Sequence, residues 1–563
     1  MTEFINRQSN SNAVAHLTAH GIHPVLARCF AARNIVSHNE LELELKNLLR
    51  PHTIKYIDDA AKLLTQTIRD QKKILVIADY DCDGATACAV AVRGLKLLGG
   101  NVDFLVPNRF QHGYGFAPEI VNLAKKFKPN LIVTVDNGIA SIDGVNAANQ
   151  AGIDVLITDH HLPGPILPAA KVIINPNQKG CLFASKCLAG VGVVFYVMLA
   201  CRAELKKYGT GELKNQPKFS SLLDLVALGT IADVVPLDYN NRILVHQGLL
   251  RIKQGHMQPG VAALFQVSGR HARQATAGDL GFLLGPRLNA AGRLDDMSLG
   301  IKCLTTDDFD EALFLAQQLN ALNQERRTIE EEMQIDALDD MFNRSSNQKT
   351  ITIFKHSWHQ GVIGIVASRL KDQFHCPTFT FAPDQEKENL LKGSGRSIPG
   401  FHLRDALDLM SKRHSNLFLS FGGHAMAAGA TIHRDFLPLF IQAFEEIANE
   451  KLDEFLLKKN IMVDGPLDNH HFTIELAMLL EQQVWGQAFQ APLFSQKFKV
   501  LSQRLLQDKH LKLKLSHQKN ELEAIWFKRT EMIPDESYLA YRLACNHFNG
   551  KQSLQLIIEH LKE

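Results

Sequence analysis

Residues 72–84 read KKILVIADYDCDG: an apolar run, Ile74–Ile77, gives way to Asp79, Asp81 and Asp83 at two-residue spacing, then to Gly84. A short continuous apolar run bounded by polar residues predicts a strand buried on both faces. The same rhythm continues downstream. Ile74–Ile77, Val102–Val106, Leu131–Val135, Val155–Thr158 and Val172–Ile174 read as strands, and Ala85–Leu98 and Ala117–Phe127 carry helical spacing between them. Strand–helix alternation of this kind predicts a parallel sheet with helices on both faces. Ligands of such open sheets gather beyond the carboxyl ends of the strands, so the residues that follow each run are where chemistry is expected.

Those residues are acidic or histidine. Asp136 follows Leu131–Val135, Asp159-His160-His161 follows Val155–Thr158, and Asp233 ends the segment ALGTIAD, residues 227–233, which is expected to close another strand at the same rim. Carboxylates crowded into one buried place repel one another and lose solvation. Cations bound between them relieve both costs. Oxygen ligands with one or two imidazoles suit Mn²⁺ or Mg²⁺ better than structural zinc, and two such ions about 3.5–4 Å apart clamp a phosphoryl group and supply a nucleophile. The chemistry expected is hydrolysis of a phosphoester or phosphoanhydride. Taken singly, a strand-end Asp is usually a turn former or helix cap, and Asp83 before Gly84 could serve that way. The co-occurrence of four such clusters is what that explanation handles poorly.

The chain has 563 residues, 45% of them hydrophobic, enough for several cores. A net charge of +2 gives no global field for a polyanion, so nucleic-acid binding would have to come from local basic patches. Nine cysteines include no CxxC pair, and the spacing of Cys181 and Cys187 fits no common zinc site; buried free thiols in a reducing cytoplasm are expected. The N-terminus lacks the basic-then-apolar order of a signal peptide. The longest apolar run, Leu188–Cys201, falls short of the roughly 20 residues that span a bilayer. A soluble cytoplasmic protein is expected. A P-loop motor is disfavoured, because Gly550-Lys551 is followed by Gln552 rather than Ser or Thr.

Five parts are expected along the chain: 1–65, polar with a helical pattern; 66–305, the sheet with the acidic rim; 306–345, a connector helix; 346–452, a second α/β unit; and 453–563, a string of short strands. In the connector, Leu315, Leu319, Leu322, Ile329 and Met333 recur at steps suiting one amphipathic helix. The second unit opens on a strand at Ile351–Phe354 and carries two glycine-rich clusters. These contain Lys392, Ser394, Gly395 and Arg396, and Phe421, Gly422, Gly423, His424 and Gly429. Backbone amides exposed by glycine beside Arg and His suit phosphate, though ordinary tight turns explain either cluster alone. In the last part, Lys497–Leu501, His510–Leu515, Leu522–Phe527 and Leu554–Ile558 read as strands of a small barrel, with the OB-fold a candidate. Lys497, Lys499, His510, Lys512, Lys514 and Lys528 interleave there with Phe498, Trp526 and Phe527, a mixture that can grip unpaired bases or simply face solvent.

The DxDxDG run, Thr134-Val-Asp136-Asn-Gly, Thr158-Asp159-His160-His161 and Gly229-Thr-Ile-Ala-Asp233 together resemble motifs I to IV of the DHH phosphoesterase superfamily. The two glycine-rich clusters resemble its DHHA1 substrate-binding domain, and the likeness runs from about residue 70 to the end. The resemblance implies an α/β fold: a parallel-sheet DHH domain joined by a long helix to a smaller α/β DHHA1 domain, followed by an OB-like β-barrel. Residue by residue, it implies that Asp79 and Asp81 face one ion and that Asp136 bridges two. Asp83, His160 and Asp233 would hold the second, and His161 would meet the scissile phosphate. Ile77 stands where many members have a histidine, which would weaken the first ion's site unless Asp79 compensates.

Segments around Pro107–Gly115 and Gly285–Arg293, with the barrel, are similar to those of the branch that degrades single-stranded DNA. That likeness implies 5′-to-3′ removal of nucleotides in DNA repair and recombination, with two Mn²⁺ or Mg²⁺ ions as cofactors. Arg109, Arg287 and Arg396 would contact phosphate, with a structural ion pair as the alternative for each. Ser394, Gly422, Gly423 and His424 would join them in binding substrate. Implied partners are single-stranded DNA, a single-strand-binding protein and a RecQ-like helicase, with no membrane and a monomeric state. The rivals are a DHH phosphodiesterase of short oligoribonucleotides or cyclic dinucleotides, and a non-catalytic single-strand-binding protein.

Overall fold

A computed structural model describes residues 2–108, 115–208, 218–341, 348–385, 387–548 and 551–562. The acidic rim belongs to a five-stranded sheet, entirely parallel, in the order Asn101–Leu105, Lys73–Ala78, Leu131–Val135, Asp154–Thr158, Val172–Ile174. Side chains alternate between faces along each strand. Ile74, Val76 and Ala78 enter the larger core, while Leu75 and Ile77 enter a second one with Ile132, Val155 and Ile157. Both faces are therefore covered, which is why these strands read as unbroken apolar runs. The chain leaves Lys73–Ala78 toward one side of the sheet and then returns to pair its other edge with Leu131–Val135. Ala78 and Val135 are partners at that switch point, so Asp79 and Asp136 emerge side by side.

Helices complete this unit, among them Cys82–Leu97, Gly190–Leu205, Leu223–Ala232 and Tyr239–Lys253. Here one expectation is corrected. Asp233 does not follow a strand: it caps the C-terminus of Leu223–Ala232, a helix buried nearly all round. Residues 1–65 are mostly helical, as their pattern predicts, but Thr2–Asn6 is a strand pairing in parallel with Lys459–Val463. A buried bidentate ion pair, Arg33 to Asp464 at 2.8 and 3.0 Å, fastens the two segments.

The connector is a single helix, Phe309–Met341; at 33 residues it is about 50 Å long. Leu315, Leu319 and Met333 are buried along it. Three of its polar positions, Asn323, Arg326 and Glu330, are buried as well: Arg326 donates to Asn323 and to Glu330, which also accepts from Arg369 of the next unit at 3.0 Å. That unit carries a sheet in the order Ser420–Gly423, Ala427–His433, Leu390–Arg396, Thr378–Pro383, Ile351–Phe354. The last unit is a closed barrel of Phe494–Leu506, His510–His517, Asn520–Trp526, Lys551–Leu561 and Glu536–Phe548. The fifth of these strands has no counterpart in the sequence reading. No helix among the described residues is long and apolar enough to cross a membrane.

Candidate metal centre

The rim is built from tight local turns. Asp81 caps the helix Cys82–Leu97, accepting the Gly84 N–H at 2.9 Å. A Cβ on Gly84 would lie 2.5 Å from the Asp79 carbonyl oxygen, so only glycine lets the helix start this close beneath the strand end. Asp83 is fully buried and accepts the N–H groups of Gly190 and Val191, at 2.6 and 2.9 Å, from the first turn of Gly190–Leu205. The capping role weighed for Asp83 is therefore real, served to a different helix from the one it begins. Asp136 has φ +62°, a left-handed conformation uncommon outside glycine. Its N–H is held by the Thr158 carbonyl at 3.0 Å. Val234, just after Asp233, has φ +62° as well. Strained backbone at two points of one rim is the pattern of a site held in place by its surroundings.

These turns bring together side chains far apart in sequence. Asp79, Asp81 and Asp136 offer ligand atoms within 4.8 Å of one another, as do Asp83, His160 and Asp233, and Asp136, His160 and His161. His160 Nε2 lies 3.1 Å from Asp136 Oδ1 and 3.5 Å from Asp233 Oδ2. All three atoms are buried, and none has a hydrogen-bond partner among the described residues. Buried acceptors with no donor between them are costly, and a divalent cation is the group that satisfies all three at once. The residues present thus fit the ions that the acidic pattern implies. Asp136 belongs to two of the ligand groups, the position a bridging carboxylate would need.

Electrostatics agree with a centre suited to positive charge. Burial raises Asp136 and Asp233 well above the usual carboxylate range, and the neighbouring carboxylates, Asp83 foremost, add to it. Burial, aided by Asp81, pushes Asp83 up to about 7, against the two N–H bonds from Val191 and Gly190. Burial takes His160 down to about 4, which keeps its imidazole neutral and its nitrogen free to ligate.

His161 is treated oppositely. Burial alone would lower it, but the bond from its Nδ1 to Asp159 Oδ1 at 2.7 Å, with the charges of Asp159, Asp79 and Asp81, raises it. Asp159 is itself fixed by N–H groups of Ile139, His160 and His161. Asn175 and Asn177 donate to the His161 and His160 carbonyls at 2.8 and 2.6 Å. Sequence reasoning named Asp159 without giving it this positioning task, and missed Asn175, Asn177 and Gly190. A Cβ on Gly190 would stand 2.6 Å from the Asp136 Cβ.

Ser394 pairs with Gly429, which pairs with Gly422, so the two glycine-rich clusters form adjacent rows. Arg396 Nη1 donates to Ser394 Oγ at 3.1 Å. The His424 N–H donates to the Ala427 carbonyl, so the tight-turn reading holds for residues 424–427. Burial lowers His424, and the charges of His161, Arg404 and His402 add to it. Arg287 donates to Asn320 Oδ1 and the Leu283 carbonyl, and the ion pair weighed as its alternative role is not formed among the described residues. Arg109 lies outside the described residues.

On the barrel, Phe498 is buried and Lys497, Lys512 and Lys514 pair with Glu536, Glu523 and Glu521. Phe498 therefore packs the interior and cannot stack on a base. Phe527 is exposed, against His510. A cavity of about 540 Å³ between the barrel and the helix Leu223–Ala232, lined by Val234, Phe282, Trp485 and Arg542, contains none of the metal-centre side chains.

Comparison with known proteins matches three family models: the N-terminal domain of the DHH family over residues 73–230, the DHHA1 domain over 347–450 and the RecJ OB domain over 463–560. The single-stranded-DNA-specific exonuclease RecJ of Escherichia coli is 47% identical over 553 residues, covering 96% of each chain. That of Thermus thermophilus is 32% identical, covering 88% of this chain and 69% of its relative. A crystal structure of Thermus thermophilus RecJ with Mn²⁺ superposes with a TM-score of 0.83 at 28% identity, over 100% of this chain and 79% of that one.

Proposed function

The chain belongs to the RecJ family of single-stranded-DNA-specific exonucleases, and on that premise we propose that it degrades single-stranded DNA from the 5′ end by divalent-metal-dependent phosphodiester hydrolysis, in repair and recombination. The observation that carries the reading is the pair of ligand groups joined at Asp136, with three buried acceptor atoms facing one another unsatisfied. Asp79, Asp81 and Asp136 would hold one Mn²⁺ or Mg²⁺; Asp83, His160 and Asp233, with Asp136 between, would hold the other. Bound there, the ions supply an activated water and neutralise charge on phosphorus and on the leaving oxygen.

The protein's own groups do the rest. Asp159 fixes the His161 ring through Nδ1, and the ring's raised affinity for protons would favour a contact with a phosphate oxygen. Neutral His160 stays a ligand rather than a competing cation. Ser394, Arg396, Gly422, Gly423 and His424 would steady the strand from the facing unit, joined by Arg109. Arg287 would join them through the guanidinium N–H groups that its bonds to Asn320 and Leu283 leave over. We assign chemistry to residues 66–305, the connector to 306–345, strand binding to 346–452 and capture of longer strands to 453–563, with 1–65 fastened to the last unit. A single-strand-binding protein and a RecQ-like helicase are the proposed partners, acting in the cytoplasm.

The test is digestion of single-stranded DNA labelled at either end, with and without Mn²⁺. Loss of the 5′ label first as mononucleotide, only with metal, is expected. Release from the 3′ end, or preference for dinucleotides over long strands, would overturn the reading.

A further inference from the structure

We propose that His16, His20 and His38 form a binding site for one divalent transition-metal ion of the zinc class, separate from the catalytic centre. The three offer ring nitrogens within 4.8 Å of one another. His16 and His20 stand one helical turn apart at the C-terminal end of Ser11–Ala19, the i, i+4 spacing by which a helix presents two imidazoles to one ion. His38 comes from the short turn His38–Leu41, where a capping box between Ser37 and Glu40 pins the backbone. His16 Nε2 faces His38 Nδ1 at 3.4 Å, and the His38 ring, stacked on His20 at 4.0 Å and 13°, would turn out of that stack to aim its in-plane lone pair at the shared ion.

Tautomers point the same way. His20 Nδ1 lies 2.8 Å from the His16 carbonyl oxygen, which can only accept, so that nitrogen carries the proton and Nε2 keeps its lone pair. A ring held through one nitrogen by a carbonyl, with the other free, is the usual posture of a metal-ligating histidine. Ring stacking alone does not require the three donors to converge. The position adds a second attraction: the last carbonyls of a helix carry partial negative charge, which favours a cation. Three nitrogen donors without an oxygen anion select zinc, nickel or copper over Mg²⁺ or Mn²⁺. Two of the histidines are exposed, so solvent would complete the tetrahedron. The ion would staple the first helix to the His38 turn, in the segment that also carries Arg33 and the strand Thr2–Asn6.

The experiment uses the full-length chain in excess Mg²⁺, which occupies the oxygen-rich centre, with Zn²⁺ titrated by calorimetry. Wild type should bind one more equivalent of Zn²⁺ than His38→Ala, and His20→Gln should weaken that equivalent at least about tenfold. Zn²⁺ should raise the melting temperature of wild type more than that of either variant. Equal melting temperatures in EDTA and equal exonuclease activity in Mg²⁺ alone are expected for all three proteins. The same number and affinity of Zn²⁺ sites in all three, or an equal Zn²⁺-dependent rise in melting temperature, would overturn the proposal.

Discussion

Replacing Gly190 by alanine should disable the metal centre without touching a ligand. The added Cβ would lie 2.6 Å from the Asp136 Cβ, 2.7 Å from Oδ1 and 2.8 Å from Cγ. Carbon atoms rest about 3.5–4.0 Å apart, so one side must move by about 1 Å. Neither side is free to do so. Gly190 is tied through its N–H to Asp83 Oδ2 at 2.6 Å, and Asp136 is held at φ +62° by its bond to Thr158. Overpacking of this kind costs about 1–3 kcal/mol of stability, but misplacing the shared carboxylate by about 1 Å should cost on the order of 100-fold in turnover. Gly192→Ala is the control: on the same helix, its Cβ meets only the Leu188 side chain, most closely at Cδ2, 3.1 Å away, its movable end. Both variants would be assayed on end-labelled single-stranded DNA in Mn²⁺ after melting curves confirm folding. If folded Gly190→Ala turns over within about threefold of Gly192→Ala, Asp136 does not occupy the shared position argued for it.

Asp136→Ala should abolish hydrolysis while strand binding, measured by fluorescence anisotropy, stays within a few-fold of wild type; retained turnover would remove it from the bridging role. In metal-free protein, Asp83 holds its proton up to about 7, whereas an unfolded aspartate releases it near 3.8. The folded state therefore binds the extra proton between those values, so stability is highest at the acidic end of that window and falls as pH rises through it. Mn²⁺ should flatten this contribution in calorimetric scans; because the lowered histidines, His160 among them, pull the other way, the readout is the difference from Asp83→Asn, and the same slope in both metal-free proteins would contradict the buried cluster. Arg33→Met leaves Asp464 buried without its partner and should cost about 3–5 kcal/mol in denaturant unfolding; a loss below about 1 kcal/mol would mean that the pair is not desolvated as its burial indicates.

Local pattern carried much of the fold into the sequence. Leu131–Val135, Val172–Ile174 and Ile351–Phe354 are strands at the bounds their runs suggest: Leu131–Val135 is covered on both faces and so almost wholly apolar, whereas Ile351–Phe354 buries alternate residues at a sheet edge. The same rule misled at Asp233. Leu223–Ala232 is a helix buried on every side, so its run lacks a 3.6-residue period and reads like a strand. Glu536–Phe548 escaped notice because apolar residues occupy both rows: Leu539, Ala540 and Tyr541 are all buried. Pairing of Thr2–Asn6 with Lys459–Val463 spans nearly the whole chain and leaves no local signature. At the site, ligand types were legible because chemistry fixes them, whereas Gly190, Asn175 and Asn177 act only through neighbours that the fold supplies.

Anomalous scattering from crystals grown with Mn²⁺ tests the two-ion centre most directly. Two peaks are expected, one among Asp79, Asp81 and Asp136 and the other among Asp83, His160 and Asp233, with the Asp136 carboxylate between them. A single peak elsewhere, or none at saturating Mn²⁺, would contradict the account.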